Sequence, residues 1–331
     1  MNYSELKHTI EQFKDKNILI IGDVMIDAYY NGKVNRISPE APVPIVNITS
    51  KEDRLGGAAN VALNIQALGA NAILCGAIGK DEAGGRFTQL MNTNNLEASG
   101  IYAFEHRKTT VKSRVIGNQQ QLVRLDEEVT EDLSSQDSNL FIQHLNSILS
   151  TQNIDAIILE DYDKGILCKE VIDFIVQWAN QNNVITSVDP KKKHFLEYKG
   201  VTIFKPNLKE LKEGLKVEAD PTQPDAFLKE VAKLEEILHP SISLITLSEH
   251  GIFIKNEEEH HFIPAHRRNI TDVSGAGDTV IAVATLSKVA GSSLVSIAAL
   301  SNLAGGLACE KPGVVPISAE QIIIELDKLR A

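Results

Sequence analysis

The chain is short of cysteine, of long apolar runs and of clustered positive charge, and each shortage removes a class of function. Its three cysteines, Cys75, Cys168 and Cys309, lie far apart and form no C-x-x-C. Neither a disulfide framework nor a zinc site is indicated, and all three read as small apolar core residues. The formal net charge is −11, and no basic stretch is longer than Lys191-Lys192-Lys193. A nucleic-acid partner needs a basic face, so none is expected. No apolar run approaches the roughly 20 residues of a membrane span, so no membrane association is expected. The first residues, Met1 to Lys7, include Glu5 and lack an apolar core, so no secretory signal is read there and a soluble, cytoplasmic protein is expected. Also missing is G-x-G-x-x-G after the first predicted strand, where the chain has Gly22-Asp23-Val24-Met25-Ile26-Asp27. That counts against a nicotinamide or flavin enzyme.

What is present is a repeated alternation of apolar strands with helical patterns. With 331 residues and 43% hydrophobic content, a sizeable core can form. The apolar run at 17–23, ending in Gly-Asp, suits a strand buried on both faces of a parallel sheet, and 72–79, 154–162, 184–191, 202–207 and 243–248 read as further strands. Several end in polar residues: Asp23, Glu160-Asp161, Asp189-Pro190-Lys191 and Asn207. Open α/β sheets bind ligands at the carboxyl ends of their strands, so these residues are expected to share a crevice. Two segments differ in character. Residues 28–50 contain Pro39, Pro42 and Pro44, and residues 100–126 alternate with a turn at Gly117-Asn118. Proline confines a strand to an edge, so these segments predict a small β-layer standing off the main sheet, as a lid or a dimer contact.

The stretch that organises the chemistry is Thr271-Asp272-Val273-Ser274-Gly275-Ala276-Gly277-Asp278-Thr279-Val280. It leads into an apolar helical run from Val280. The glycines allow close backbone approach, and free amides at a helix N-terminus favour an anion. An acid at that mouth would repel the anion unless Asp278 takes a proton from a hydroxyl while the amides hold a phosphoryl group in transfer. The alternative reading is a capped helix start. Earlier in the chain, Gly56-Gly57-Ala58-Ala59-Asn60 opens a second helix that ends near Gly69. Asn60 reads either as a sugar contact or as a helix cap. Asn207-Leu208-Lys209-Glu210 reads either as a capping box or as oxygens for a hydrated Mg²⁺.

Together these residues resemble the ribokinase-like, or PfkB, carbohydrate kinase family. The matching signatures are Gly56-Gly57-Ala58-Ala59-Asn60, the N-x-x-E of Asn207 to Glu210, and Asp272-Val273-Ser274-Gly275-Ala276-Gly277-Asp278. The resemblance covers essentially the whole chain. It implies one α/β domain over residues 1–331: a doubly wound, mostly parallel sheet with a small β-sheet lid at about 28–50 and 100–126. It also implies ATP and Mg²⁺, with a monovalent cation left open. Within the family, Arg36-Ile37-Ser38-Pro39-Glu40-Ala41-Pro42-Val43-Pro44, the run 120–126 and Asp161-Tyr162-Asp163-Lys164-Gly165 look like D-glycero-D-manno-heptose 7-phosphate kinases. Those enzymes phosphorylate the anomeric hydroxyl, and many are fused to a nucleotidyltransferase domain. This chain has no H-x-G-H, and a stand-alone kinase is expected.

Carried over residue by residue, the resemblance makes Asp278 the base and Gly275, Ala276 and Gly277 the anion hole. The sugar phosphate would meet Asp23, Arg36, Gly56, Gly57, Asn60, Gln120, Arg124 and Lys164. Arg36, Arg124 and Lys164 are equal candidates for the phosphate. ATP would meet Lys191, Asn207, Glu210, Ser248, Gly251 and Asn302, with Glu210 toward Mg²⁺. A homodimer through the β-lid is expected. Two rivals remain: a related kinase for another sugar phosphate or a nucleoside, and a non-catalytic sugar- or nucleotide-sensing protein.

Overall fold

A computed structural model describes residues 3–330. Helix α1 (Tyr3–Glu11) leads into β1 (Asn17–Gly22). A long hairpin of β2 (Val24–Ile37) and β3 (Pro44–Gly57) runs straight into α2 (Ala58–Ala67). Next come β4 (Asn71–Gly79), α3 (Glu82–Thr93) and the short β5 (Ile101–Phe104). A second hairpin follows, β6 (Thr110–Gly117) and β7 (Gln120–Glu127). The alternation then resumes with α4 (Ser135–Leu149), β8 (Ala156–Glu160), α5 (Lys169–Asn182), β9 (Ile185–Asp189) and β10 (Ile203–Phe204). The last third holds α6 (Leu208–Leu215), α7 (Pro224–Leu238), β11 (Ile242–Thr246), β12 (Ile252–Lys255), β13 (His260–Ile263), α8 (Ala276–Val289), α9 (Leu294–Cys309) and α10 (Ala319–Arg330).

Nine strands form one sheet in the order β13-β12-β11-β10-β9-β8-β1-β4-β5. It is parallel from β11 to β5, and β12 and β13 are antiparallel. This is the expected ribokinase-like α/β architecture. The strands read as apolar runs because both faces are covered. Successive residues of β1 alternate between them: Ile18 and Ile20 join the core under α2 and α8, while Leu19 and Ile21 join the core under α4, α5 and α7. From β1 the chain goes on to β4 and β5 on one side and returns through β8 to β11 on the other. That reversal opens a crevice at the carboxyl ends of β1 and β8.

The second sheet has four strands in the order β3-β2-β6-β7. Its extent differs from the expectation of 28–50 and 100–126. Strands β2 and β3 together run from Val24 to Gly57, because all three prolines fall at or before the first residue of β3, most of them in the connecting loop. Ile101–Phe104 belongs to the large sheet, parallel to β4. The β6–β7 turn is Asn118-Gln119, both at positive φ (53° and 68°), between paired Gly117 and Gln120. No helix among the described residues is long and apolar enough to cross a membrane.

Candidate active site

Helix α8 starts where the backbone allows nothing bulky. Gly275 has φ 77° and acts as the N-cap, placing Ala276, Gly277 and Asp278 in the first turn. Among the described residues, the N–H groups of Gly275, Gly277 and Asp278 have no acceptor, whereas Ala276 N–H turns back to Val273 O at 3.3 Å. The cradle of free donors is therefore Gly275, Gly277 and Asp278, with Ala276 a weaker member than its place in the motif implied. Free first-turn amides add to the positive end of the helix dipole.

Asp278 is only 5% exposed. Its Oδ2 accepts from Asn60 Nδ2 at 2.5 Å and its Oδ1 from the Tyr162 hydroxyl at 2.8 Å. Burial pushes its pKa above the ordinary aspartate value, and those two donors hold it back. Asn60 is thus no helix cap: α2 has no side-chain cap, and Asn60 sits fully inside, its Oδ1 unpartnered. The preceding glycines are needed for close approach. A Cβ on Gly57 (φ 62°) would lie 2.3 Å from Asp23 O, and one on Gly56 would lie 2.4 Å from Asp27 Oδ2.

Asp23, at the end of β1, is buried and wrapped by the loop after β8. Its Oδ2 accepts from the N–H groups of Tyr162 and Lys164 (2.8 and 2.9 Å), and its Oδ1 from Ile166 N–H at 3.2 Å. Burial nonetheless raises its pKa. Next to it, burial and the Asp23 charge push the Asp161 carboxyl up to about 7, although Asp163 N–H and the Tyr198 hydroxyl both donate to it.

Beneath the helix mouth lies a group of charges. One carboxylate oxygen each from Glu160, Asp189 and Asp278 lie within 4.8 Å of one another. Lys205, 2% exposed, pairs with Asp189 at 2.8 Å, and Lys191 pairs with Asp189 at 3.3 Å and with Glu210 at 2.7 Å. A Cβ on Gly277 would sit 3.6 Å from Lys205 Nζ, so that ammonium faces the cradle. Among the described residues Glu160 has no hydrogen-bond partner for either oxygen, and burial lifts its pKa well above the ordinary glutamate value. Glu210 closes a capping box on α6: Asn207 Oδ1 accepts from Glu210 N–H, and Glu210 Oε2 accepts from Asn207 N–H, both at 2.8 Å. Its side chain is 13% exposed, and each oxygen accepts one bond. The all-oxygen group of Glu160, Asp189 and Asp278, in which both Glu160 oxygens lack a hydrogen bond among the described residues, with Glu210 beyond Lys191, fits a hydrated Mg²⁺.

Other expected site residues lie outside this charged group, and Arg36 and Gln120 lie far from it. Ser248 is exposed in a one-turn helix, and the glycine at 251 (φ 89°) is explained by Ile263 O, which would lie 2.0 Å from a Cβ. Asn302 Nδ2 donates to Pro264 O at 2.8 Å. Arg124 pairs with Asp126, and Lys164 with Glu128 at 2.9 Å. Arg36 and Gln120 are exposed near the far end of the small sheet. At roughly 3.3 Å per residue, the run from Val24 to Arg36 carries Arg36 on the order of 40 Å from Asp23. Within one chain the structure does not bring Arg36 or Gln120 to Asp278. Sequence reasoning passed over Tyr162 and Lys205 as site residues. The signal was their place beside polar strand ends: Tyr162 is two residues past the end of β8 and Lys205 one past the end of β10.

Residues 15–321 match the model of the pfkB family carbohydrate kinases. The chain belongs to the pfkB family. It is a carbohydrate kinase. Among curated proteins it is 39% identical over 276 residues to the bifunctional protein HldE of Helicobacter hepaticus, covering 83% of this chain and 56% of that protein. It is 36% identical over 313 residues to the HldE of Helicobacter pylori J99, covering 95% and 67%. The chain thus spans between about half and two thirds of the length of these relatives. Among solved structures, phosphofructokinase-2 from Escherichia coli in complex with potassium superposes with a TM-score of 0.76 at 18% identity, covering 96% of this chain and all of that one. Ribokinase of Arabidopsis thaliana complexed with ribose and ATP gives 0.70 at 14% identity, covering 94% and 99%. This pfkB kinase shares their fold.

Proposed function

We propose that this pfkB kinase transfers the γ-phosphoryl group of ATP to the anomeric C1 hydroxyl of D-glycero-D-manno-heptose 7-phosphate, giving the 1,7-bisphosphate and ADP. The observation that carries the phosphoryl-transfer reading is Asp278, buried and held by Asn60 and Tyr162 beside three unpaired amides. The heptose assignment draws on the motifs around 36–44, 120–126 and 161–165 and on relatives named HldE.

In this reading Asp23, Asn60 and the Gly56-Gly57 backbone bind sugar hydroxyls. Asp278 takes the C1 hydroxyl proton as the O1–Pγ bond forms and the bond from Pγ to the β-phosphate oxygen breaks. The amides of Gly275, Gly277 and Asp278, with Lys205 behind them, stabilise the charge on the moving group. Lys191 and the α6 start at Asn207 and Glu210 hold the ATP phosphates, and Ser248, Gly251 and Asn302 flank the nucleotide. Mg²⁺ bound with ATP supplies charge neutralisation at the phosphates, and Glu210 would hold it through water. The small sheet acts as a lid, excludes water and pairs with a second copy in a cytoplasmic enzyme of lipopolysaccharide core synthesis.

The test is ADP release with heptose 7-phosphate beside ribose, fructose 6-phosphate and adenosine. Heptose 7-phosphate is expected to give the highest kcat/KM. A better rate with another acceptor would move the chain to a different pfkB substrate. No ADP with any of them would favour a silent sensing protein.

A further inference from the structure

Arg107 lies between β5 and β6, where the two sheets meet, and nothing in the phosphoryl-transfer machinery uses it. It is half-buried. Its guanidinium makes one contact, Nη1 to Glu131 O at 3.5 Å, and pairs with no carboxylate among the described residues. Burial pulls its pKa down, and the charge that bears on it most is Asp23, followed by Glu131. A guanidinium half-removed from water without a counter-ion is costly, and Arg is the side chain best shaped to hold a phosphate through two parallel bonds.

Its surroundings repeat the theme. Glu131 O also packs on the turn that wraps Asp23, since a Cβ on Gly165 would lie 2.1 Å from it. Lys164, in that same turn, has its backbone N–H on Asp23 and its ammonium on Glu128. Glu128 is shared with Lys112 at 3.1 Å. One carboxylate, Glu128, thus serves two cations, Lys112 and Lys164, while Arg107 contacts Glu131 O, which itself packs on the Asp23 turn. The three cations equivalent in the sequence, Arg36, Arg124 and Lys164, differ in the structure. Arg36 is remote, Arg124 is an exposed partner of Asp126, and Lys164 stands beside Asp23. One turn ties the two regions together: Tyr162 reaches Asp278 with its hydroxyl, and two residues further on the Lys164 N–H shares Asp23 Oδ2 with the Tyr162 N–H while the Lys164 ammonium turns to Glu128.

We propose that Arg107, supported by Lys164, is the phosphate subsite for a sugar substrate whose phosphomonoester lies at the far end of the chain from the reacting hydroxyl. This rests on the kinase reading above and adds to it the residue that selects a phosphorylated acceptor. A dianion seated there gives Arg107 its missing partner and competes with Glu128 for Lys164.

The experiment compares wild type, Arg107→Ala and Arg107→Lys with heptose 7-phosphate, fructose 6-phosphate and their unphosphorylated sugars. It reads kcat and KM by ADP release and sugar binding by calorimetry, with the ATP-induced rise in Tm reporting an intact fold. For the best sugar phosphate, Arg107→Ala should raise KM by about 10- to 100-fold, the scale of a lost charge-assisted bond. The loss with the unphosphorylated sugar should be at least tenfold smaller, and Arg107→Lys should fall between. An unchanged KM in Arg107→Ala, or equal losses with both sugars, would overturn the subsite while leaving the kinase reading standing. A wild type that neither binds nor phosphorylates heptose 7-phosphate would strike the heptose assignment alone if it takes fructose 6-phosphate through Arg107. A wild type that prefers unphosphorylated sugars, or binds no sugar phosphate, would overturn the subsite itself.

Discussion

Asp278 owes its chemistry to where the backbone buries it. Removed from water, its carboxylate becomes more basic, and Asn60 and Tyr162 keep it ionisable and aimed. Asp278→Asn is isosteric and keeps both neighbours within reach, so it should leave Tm near wild type and lower kcat by about 10²–10⁴. Steady-state ADP release checks this, and near-wild-type turnover would remove the base. Two further acids give a pH dependence. Burial raises Glu160 well above the ordinary range, and burial with the Asp23 charge raises Asp161 to about 7. Both bind a proton more tightly folded than unfolded. Their contribution to stability is complete at acid pH and is lost as pH rises through the folded values, for Asp161 through about 7. Glu160→Gln and Asp161→Asn should therefore flatten the fall in Tm from acid to mildly alkaline pH. Curves parallel to wild type would show that these acids titrate alike in both states.

Among the elements, α6 carries two tasks on one side chain. Glu210 Oε2 closes the capping box with Asn207, and Oε1 pairs with Lys191. Glutamine at the third helical position also serves a capping box, so Glu210→Gln should change Tm little. It removes the charge facing Lys191 and the phosphates, so the Mg²⁺ concentration for half-maximal ADP release should rise several-fold. Superimposable Mg²⁺ titrations would confine Glu210 to the cap. The strands show where local reading stops. The Gly275–Asp278 helix start, the glycine pair before α2 and the polar strand ends were visible in the sequence because they depend on backbone angle and apolar period. The true reach of β2 and β3 was not, because the prolines that break their pattern sit at the hairpin loop and its exit.

At the scale of the whole molecule, the small sheet leaves apolar side chains in solvent: Ile37 60%, Ile48 49%, Val123 45% and Leu125 56% exposed. Such a face on a sheet that projects from the core is the kind a second copy covers. The protein should run as a dimer in light scattering. Leu125→Glu should shift it toward monomer and lower activity by loosening the lid. A fully active wild-type monomer would dismiss the contact.

By itself the sequence determined the α/β class, the order of the strands along the chain and the loop at 271–280, since apolar period and glycine placement act over a few residues. Tertiary structure decided which of the polar strand ends meet. Asn60 and Asp278 are 218 residues apart in sequence and 2.5 Å apart in space, joined because α2 and α8 pack on the same face of the sheet. The same packing left Glu160 without a partner and gave Lys205 a place under the cradle. It also left Arg107 without a carboxylate partner among the described residues, its guanidinium meeting only Glu131 O. Side-chain convergence depends on sheet order and register, and those are fixed by burial summed over the whole core rather than by any short stretch.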